Sequence, residues 1–282
     1  MHKNILVIAD KDIDQHASMQ KARAIAHEGT EHISIIGFID SSKATSGVSS
    51  GQKDAALQKA IDKEFAGMKS VDYDVVVTDN IAHYCKTYTK ENAVDLVIKT
   101  GNRSEKLFYT PLDWQLIREL SCPVMITTLQ KWRARRNVMM TIDVDSEDKT
   151  QKSLNLKVAR WAQEWAKNYG CDLHVAYCIH IREALTELDI VSKDEVMLKK
   201  ERAVRDKLQA FLDDNDIECA SIQIRPGQPD RVLPSLANKL KADIVVLGSV
   251  GRKGLKGMLL GNTAEKTLHK LRTDVAIIHP DK

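Results

Sequence analysis

Five of the 13 glycines in this 282-residue chain fall within GSVGRKGLKGMLLGNTAEK, residues 248–266. They are Gly248, Gly251, Gly254, Gly257 and Gly261, directly after the apolar run Ile244-Val245-Val246-Leu247 and before a stretch with helical spacing through Leu268 and Leu271. A glycine-rich loop that leaves a strand and closes on a helix start turns backbone N–H groups and a positive dipole end toward one point. That is the physics of a phosphate site. Arg252, Lys253 and Lys256 lie inside the loop and add positive charge, and Asn262 with Glu265 three residues later reads as a capping box. Counting excludes the better-known loops. No two of these glycines have P-loop spacing followed by Lys, none stand at i and i+2 as a dinucleotide fingerprint needs, and the three-residue period stops at Gly257 without proline. What remains is G-x2-G-x9-G: Gly248, Gly251 and Gly261.

The other reactive residues carry weaker signals. The five cysteines, Cys85, Cys122, Cys171, Cys178 and Cys219, are odd in number and contain no CxxC, so neither a disulfide framework nor a zinc ribbon is indicated, and buried thiols are expected. Cys171, His174, Cys178 and His180 form a metal quartet on paper. On one strand, however, His174 and Cys178 stand about 13 Å apart at roughly 3.3 Å per residue, against metal bonds of about 2 Å. Trp161 and Trp165, one helical turn apart, read as core or interface packing. No Ser/His/Asp or Cys/His arrangement has a local signature, and no carboxylate pair is marked as acid and base, so no catalytic residue is nominated.

The elements that must position the glycine loop repeat along the chain. Asn4-Ile5-Leu6-Val7-Ile8-Ala9 ends in Asp10-Lys11-Asp12; Asn137-Val138-Met139-Met140-Thr141-Ile142 ends in Asp143-Val144-Asp145. Ala93-Val94-Asp95-Leu96-Val97-Ile98 matches Lys241-Ala242-Asp243-Ile244-Val245-Val246, and Cys122-Pro123-Val124-Met125-Ile126-Thr127 matches Thr273-Asp274-Val275-Ala276-Ile277-Ile278, in the same order. Strands are predicted near 4–9, 32–38, 73–78, 95–99 and 123–127, then near 138–143, 172–179, 219–224, 243–247 and 274–279, with helical stretches between them. Continuous apolar strands alternating with helices mean a parallel sheet covered on both faces. The expected fold class is α/β: two tandem five-stranded parallel-sheet α/β sandwiches, 1–132 and 133–282, joined through Leu129-Gln130-Lys131-Trp132-Arg133-Ala134-Arg135-Arg136. Gly227-Gln228-Pro229-Asp230 marks a turn into a helix near Arg231, with a structural role favoured over ligand contact. The long connections at 41–51 and 181–193 read as a lid or a solvated loop.

The bulk figures bound the function. Hydrophobic content is 43%, charged content 29% and net charge +3. No apolar run approaches the roughly 20 residues of a membrane span, and the excess of basic residues is too small and interspersed to predict nucleic-acid binding. The N-terminal apolar run is too short for a signal peptide, so cytoplasm is expected.

G-x2-G-x9-G followed by a small polar residue, after the fourth strand of a five-stranded unit that begins with strand-Asp, resembles the ATP-binding signature of the universal stress proteins. VVLGSVGRKGLKGMLLGNTAEKTL carries most of that likeness, while TPLDWQLIRELSCPV, residues 110–124, and SEDKTQKSLNLKV, residues 146–158, resemble the tandem type of the family. The resemblance implies an adenine-nucleotide α-hydrolase-like, Rossmann-like fold that binds ATP or another adenine nucleotide, with or without Mg. It places Asp143 at the adenine or ribose, Gly248 by the ribose, and Gly251, Gly261, Asn262 and Thr263 at the phosphates, beside Arg252 and Lys253. It also implies that the two halves pair through the strands near 123–127 and 274–279, that two chains associate as a homodimer, and that the protein regulates or protects rather than catalyses. One departure is Asn262, where the family has Ser or Thr. The first half lacks the glycine triad and reads as a degenerate copy. The rival readings are a module for a non-nucleotide, apolar ligand and a slow ATPase or other adenine-nucleotide enzyme.

Overall fold

The structure, a computed structural model, describes residues 3–9, 17–26, 32–39, 41, 50–101, 111–179, 193–249 and 262–280. Two compact units divide the chain, Met1–Lys131 and Trp132–Lys282.

The described residues of the first unit run β1 (Asn4–Ile8), α1 (Ala17–Ile25), β2 (His32–Ile39), α2 (Ser50–Glu64), β3 (Val71–Val77), α3 (Ile81–Glu91), β4 (Leu96–Thr100), α4 (Pro111–Glu119) and β5 (Val124–Thr127). Its strands lie in the order β3-β2-β1-β4-β5, with every pair parallel. The second unit repeats the plan with β6 (Asn137–Thr141), α5 (Lys149–Tyr169), β7 (Asp172–Ile179), α6 (Lys193–Asp214), β8 (Ser221–Pro226), α7 (Pro229–Lys239), β9 (Ile244–Gly248), α8 (Asn262–Lys270) and β10 (Asp274–Ile278). Its order is β8-β7-β6-β9-β10, again parallel. The strands at the centre of each sheet are buried on both faces, and for that reason they consist of apolar and β-branched runs.

The two edge strands shift from their sequence positions. β3 begins at Val71, two residues earlier than its apolar pattern, because Asp72, Tyr73 and Asp74 lie exposed on an edge. β8 runs on to Pro226, a residue a sheet accepts only at an edge or strand end. α5 likewise starts ahead of its apolar spacing: Asp148 caps it by accepting the N–H groups of Thr150 and Gln151 at 2.8 and 3.2 Å, and Gly170, at φ 60°, ends it in the left-handed region. Pro229 opens α7, and Gly227 before it stands at φ 133°, where a Cβ would lie 2.9 Å from Val232 Cγ2, so this turn needs glycine for the fold alone.

The repeated Asp before β4 and β9 shares a structural task in the two units. Asp95 Oδ2 accepts the Lys3 and Asn4 N–H groups at 2.8 and 3.3 Å, and Asp243 Oδ2 accepts Asn137 N–H at 3.0 Å, so each carboxylate secures the start of the neighbouring first strand. The second unit also holds an aromatic cluster. Trp165 is buried at 1% exposure, stacks on Trp161 at 4.9 Å, and meets Trp132 edge-on at 6.0 Å and Tyr169 at 4.6 Å. Trp161 and Trp165 are therefore packing residues. No helix among the described residues is long and apolar enough to cross a membrane.

Candidate functional site

In a 3-2-1-4-5 sheet the connections leave the first and fourth strands in opposite directions, which opens a crevice at their carboxyl ends. In the second unit those strands are β6 and β9, in register to Met140↔Val246. Asp143 lies just past the end of β6 and Gly248 closes β9, so the fold brings these two to the same crevice. Asn262 and Thr263 open α8. Gly251, Arg252, Lys253 and Gly261 lie outside the described residues, as do Asp10, His180 and the stretches 42–49 and 181–192.

Gly248 has a packing reason for being glycine. A Cβ there would fall 2.8 Å from Leu154 Cδ2 and 2.9 Å from Leu154 Cγ, closer than carbon atoms approach. Gly248→Ala is expected to destabilise the second unit by about 1–3 kcal/mol through overpacking. Combined with Leu154→Ala, it should cost less than the sum of the two single changes in urea unfolding, since each relieves the other. Additive values would place the new methyl elsewhere.

Two neighbouring aspartates end β6 differently. The peptide of Asp143 is held on both sides: its N–H donates to Asn155 Oδ1 at 3.0 Å and its carbonyl accepts Asn155 Nδ2 at 2.7 Å. Its carboxylate accepts the Asp145 N–H at 3.2 Å, and Asp143 lines a pocket beside Tyr177 and Lys207. Asp145 instead spends both oxygens on side chains, taking Lys207 Nζ and the Tyr177 hydroxyl at 2.6 Å each. The Lys207 hydrogen bond, then that of Tyr177, keeps the Asp145 carboxyl below the usual range; burial and the Asp145 carboxylate push the Tyr177 phenol up. The Asp143-Val144-Asp145 motif thus divides into a residue available to a ligand and a residue that braces β7 and α6.

Two pockets flank this turn. One of about 440 Å³ lies between Asp143, Tyr177 and Ile179 on one side and Lys200, Val204 and Lys207 of α6 on the other. The second, of about 430 Å³, lies against Lys152, Asn155 and Phe211, and Asp143 and Lys207 line both. Sequence reasoning missed Tyr177, Asn155 and Lys207. A faint signal existed for two of them: Tyr177 and Ile179 alternate onto one strand face, and Lys200 and Lys207 are two helical turns apart.

Burial governs the five cysteines and His174. Burial pushes the thiols of Cys85, Cys122 and Cys178 up to about 12 and that of Cys171 to about 11, and raises Cys219. Such thiols remain protonated and unreactive at neutral pH. His174 meets Ser221 Oγ at 2.9 Å, and burial lowers its pKa. No group of three His, Cys, Asp or Glu among the described residues could hold a metal ion.

The first unit is furnished differently at the corresponding strand ends. Thr100 stands where β9 has Gly248, and its Oγ1 accepts the Ser18 N–H at 2.9 Å while Ser18 Oγ donates to the Ile8 carbonyl at 3.1 Å. Lys99, at the Leu247 position, sends Nζ to Asp113 Oδ1 at 2.7 Å and to the Thr100 carbonyl at 2.7 Å, and both charged side chains are buried. Side chains of the unit itself thus tie β1, β4, α1 and α4 together there.

The sequence profile of the universal stress protein family matches residues 136–279. Universal stress protein E of Photorhabdus laumondii is 32% identical over 198 residues, 66% of this chain and 62% of that protein. The universal stress protein E homolog of Haemophilus influenzae is 30% identical over 238 residues, 80% of this chain and 75% of that protein. The chain thus spans about three fifths to three quarters of the length of these relatives. A crystal structure of a functionally unknown protein from Pseudomonas aeruginosa PAO1 superposes with a TM-score of 0.79 at 24% identity, covering 99% of this chain and 93% of that one, which shows a shared fold.

Proposed function

Because the chain belongs to the universal stress protein family, we propose that its second unit binds ATP or a related adenine nucleotide in the crevice between β6 and β9, and that binding rather than catalysis is its activity. The observation that carries this reading is the arrival of Asp143 and of the strand that launches the glycine motif at one crevice. Asp143 would accept hydrogen bonds from the ribose or base. The backbone N–H groups around Gly251 and Gly261, with the start of α8 at Asn262 and Thr263, would hold phosphates, and Arg252 and Lys253 would offset their charge, with or without Mg. Asn262 can meet a phosphate through its side-chain NH2, in place of the hydroxyl usual in the family. Gly248 then serves two demands, room for Leu154 and close approach of the ligand.

The bound nucleotide acts as a state signal. It contacts the glycine motif and alters a surface read by a protein partner in the cytoplasm, in a chain that associates as a homodimer. The first unit, 1–132, supports the nucleotide-binding unit, 133–282, and itself binds no nucleotide. The test is mass spectrometry of the small molecule released on denaturing freshly purified protein, with the Gly251→Arg/Gly261→Arg variant alongside. Near-stoichiometric ATP, ADP or AMP that disappears in the variant is the expected result. An apolar or other ligand retained by the variant overturns it.

A further inference from the structure

Asn155 is given no task by the nucleotide reading. It is only 3% exposed, low for an amide side chain, and sits in the second turn of α5. β6 has ended at Thr141, where its pairing with β7 also stops at Thr141↔Ala176, so the Asp143 peptide has no strand partner. Asn155 supplies both missing hydrogen bonds, as acceptor for the Asp143 N–H at 3.0 Å and as donor to its carbonyl at 2.7 Å. Gln151, one turn earlier, donates Nε2 to Asn155 Oδ1 at 2.8 Å. Two donors on Oδ1 and one carbonyl at Nδ2 leave the amide a single orientation. The preceding residue, Leu154, packs against Gly248. One turn of α5 therefore reaches both walls of the crevice.

We infer that Asn155 is a positioning residue for the nucleotide site: its amide replaces the absent strand neighbour and thereby aims the Asp143 carboxylate at the ligand. This rests on the nucleotide reading. A residue that merely stabilises the fold would weaken binding whether or not Asp143 is present. A residue acting through Asp143 loses its effect once that carboxylate is gone, which a double-mutant cycle measures.

The experiment is ATP titration by calorimetry of the full chain as wild type, Asn155→Ala, Asp143→Ala and the double variant. Asn155→Ala is expected to weaken ATP about tenfold, the scale of one or two positioning hydrogen bonds, and to change the dissociation constant less than about twofold when Asp143 is already Ala. Asn155→Asp is nearly isosteric but sets a carboxylate oxygen against the Asp143 carbonyl, so it should weaken ATP at least as much. Equal losses from Asn155→Ala in both backgrounds, or unchanged affinity in Asn155→Asp, overturn the inference while leaving the nucleotide reading intact. A wild-type chain that binds no ATP sinks both. If Asn155→Ala does not fold, Gln151→Ala removes only the brace and goes through the same cycle. It should show a smaller loss, absent without Asp143, and a loss that persists there counts against the inference.

Discussion

Asp113→Ala is expected to destabilise the first unit by about 3–5 kcal/mol, the usual consequence of stranding one partner of a buried ion pair. Lys99 and Asp113 meet at 2.7 Å with side-chain exposures of 8% and 0%, so removing the carboxylate leaves an ammonium in the core with the Thr100 carbonyl as its remaining described contact. The double variant Lys99→Leu/Asp113→Ala should recover most of the loss. Leucine is the residue β9 carries at the corresponding place, and apolar replacements for a buried pair are often neutral or stabilising. Urea unfolding followed at Trp114, the one tryptophan of Met1–Lys131, measures both. A double variant as unstable as the single would locate the cost in lost packing rather than in the unpaired charge. The pair ties the end of β4 to the first turn of α4, at the place corresponding to the end of β9, from which the glycine motif of the second unit starts.

Trp165→Ala should be as damaging to the second unit, at about 3–5 kcal/mol. The indole is fully buried against Trp132, Trp161 and Tyr169, and its helix, α5, also carries Leu154 and Asn155 to the crevice. Loss of the near-ultraviolet circular dichroism of this cluster and a lower urea midpoint are the expected signs, with a smaller shift for the half-buried Trp161→Ala. Equal shifts for the two would mean that the stack matters more than the burial. Because α5 links cluster and crevice, Trp165→Ala should also reduce retained nucleotide, whereas Asp113→Ala should leave it in place.

Much of the fold was legible before the structure. Strands buried on both faces announce themselves as unbroken runs such as Ile5-Leu6-Val7-Ile8 and Ile244-Val245-Val246-Leu247, and their alternation with helical stretches implied parallel order in each unit. The edge strands β3 and β8 were displaced by two residues because an edge tolerates Asp72, Asp74 and Pro226. The start of α5 was hidden because its first turn is polar and is signalled by a cap, Asp148, rather than by apolar spacing.

The site divides along the same physical line. The sequence by itself determined that an Asp143 following a first strand and a glycine motif starting from a fourth exist in a repeated α/β unit, since burial period, turn chemistry and glycine spacing are properties of short windows. Only the tertiary structure decided that Asn155 grips Asp143, that Tyr177 and Lys207 occupy Asp145, that Leu154 claims the space at Gly248, and that Lys99 finds Asp113. All of these partners lie more than ten residues apart in the chain. Their meeting depends on strand register and on the rotation of each helix about its axis, quantities that packing of the whole unit sets and that no local pattern of residue types contains.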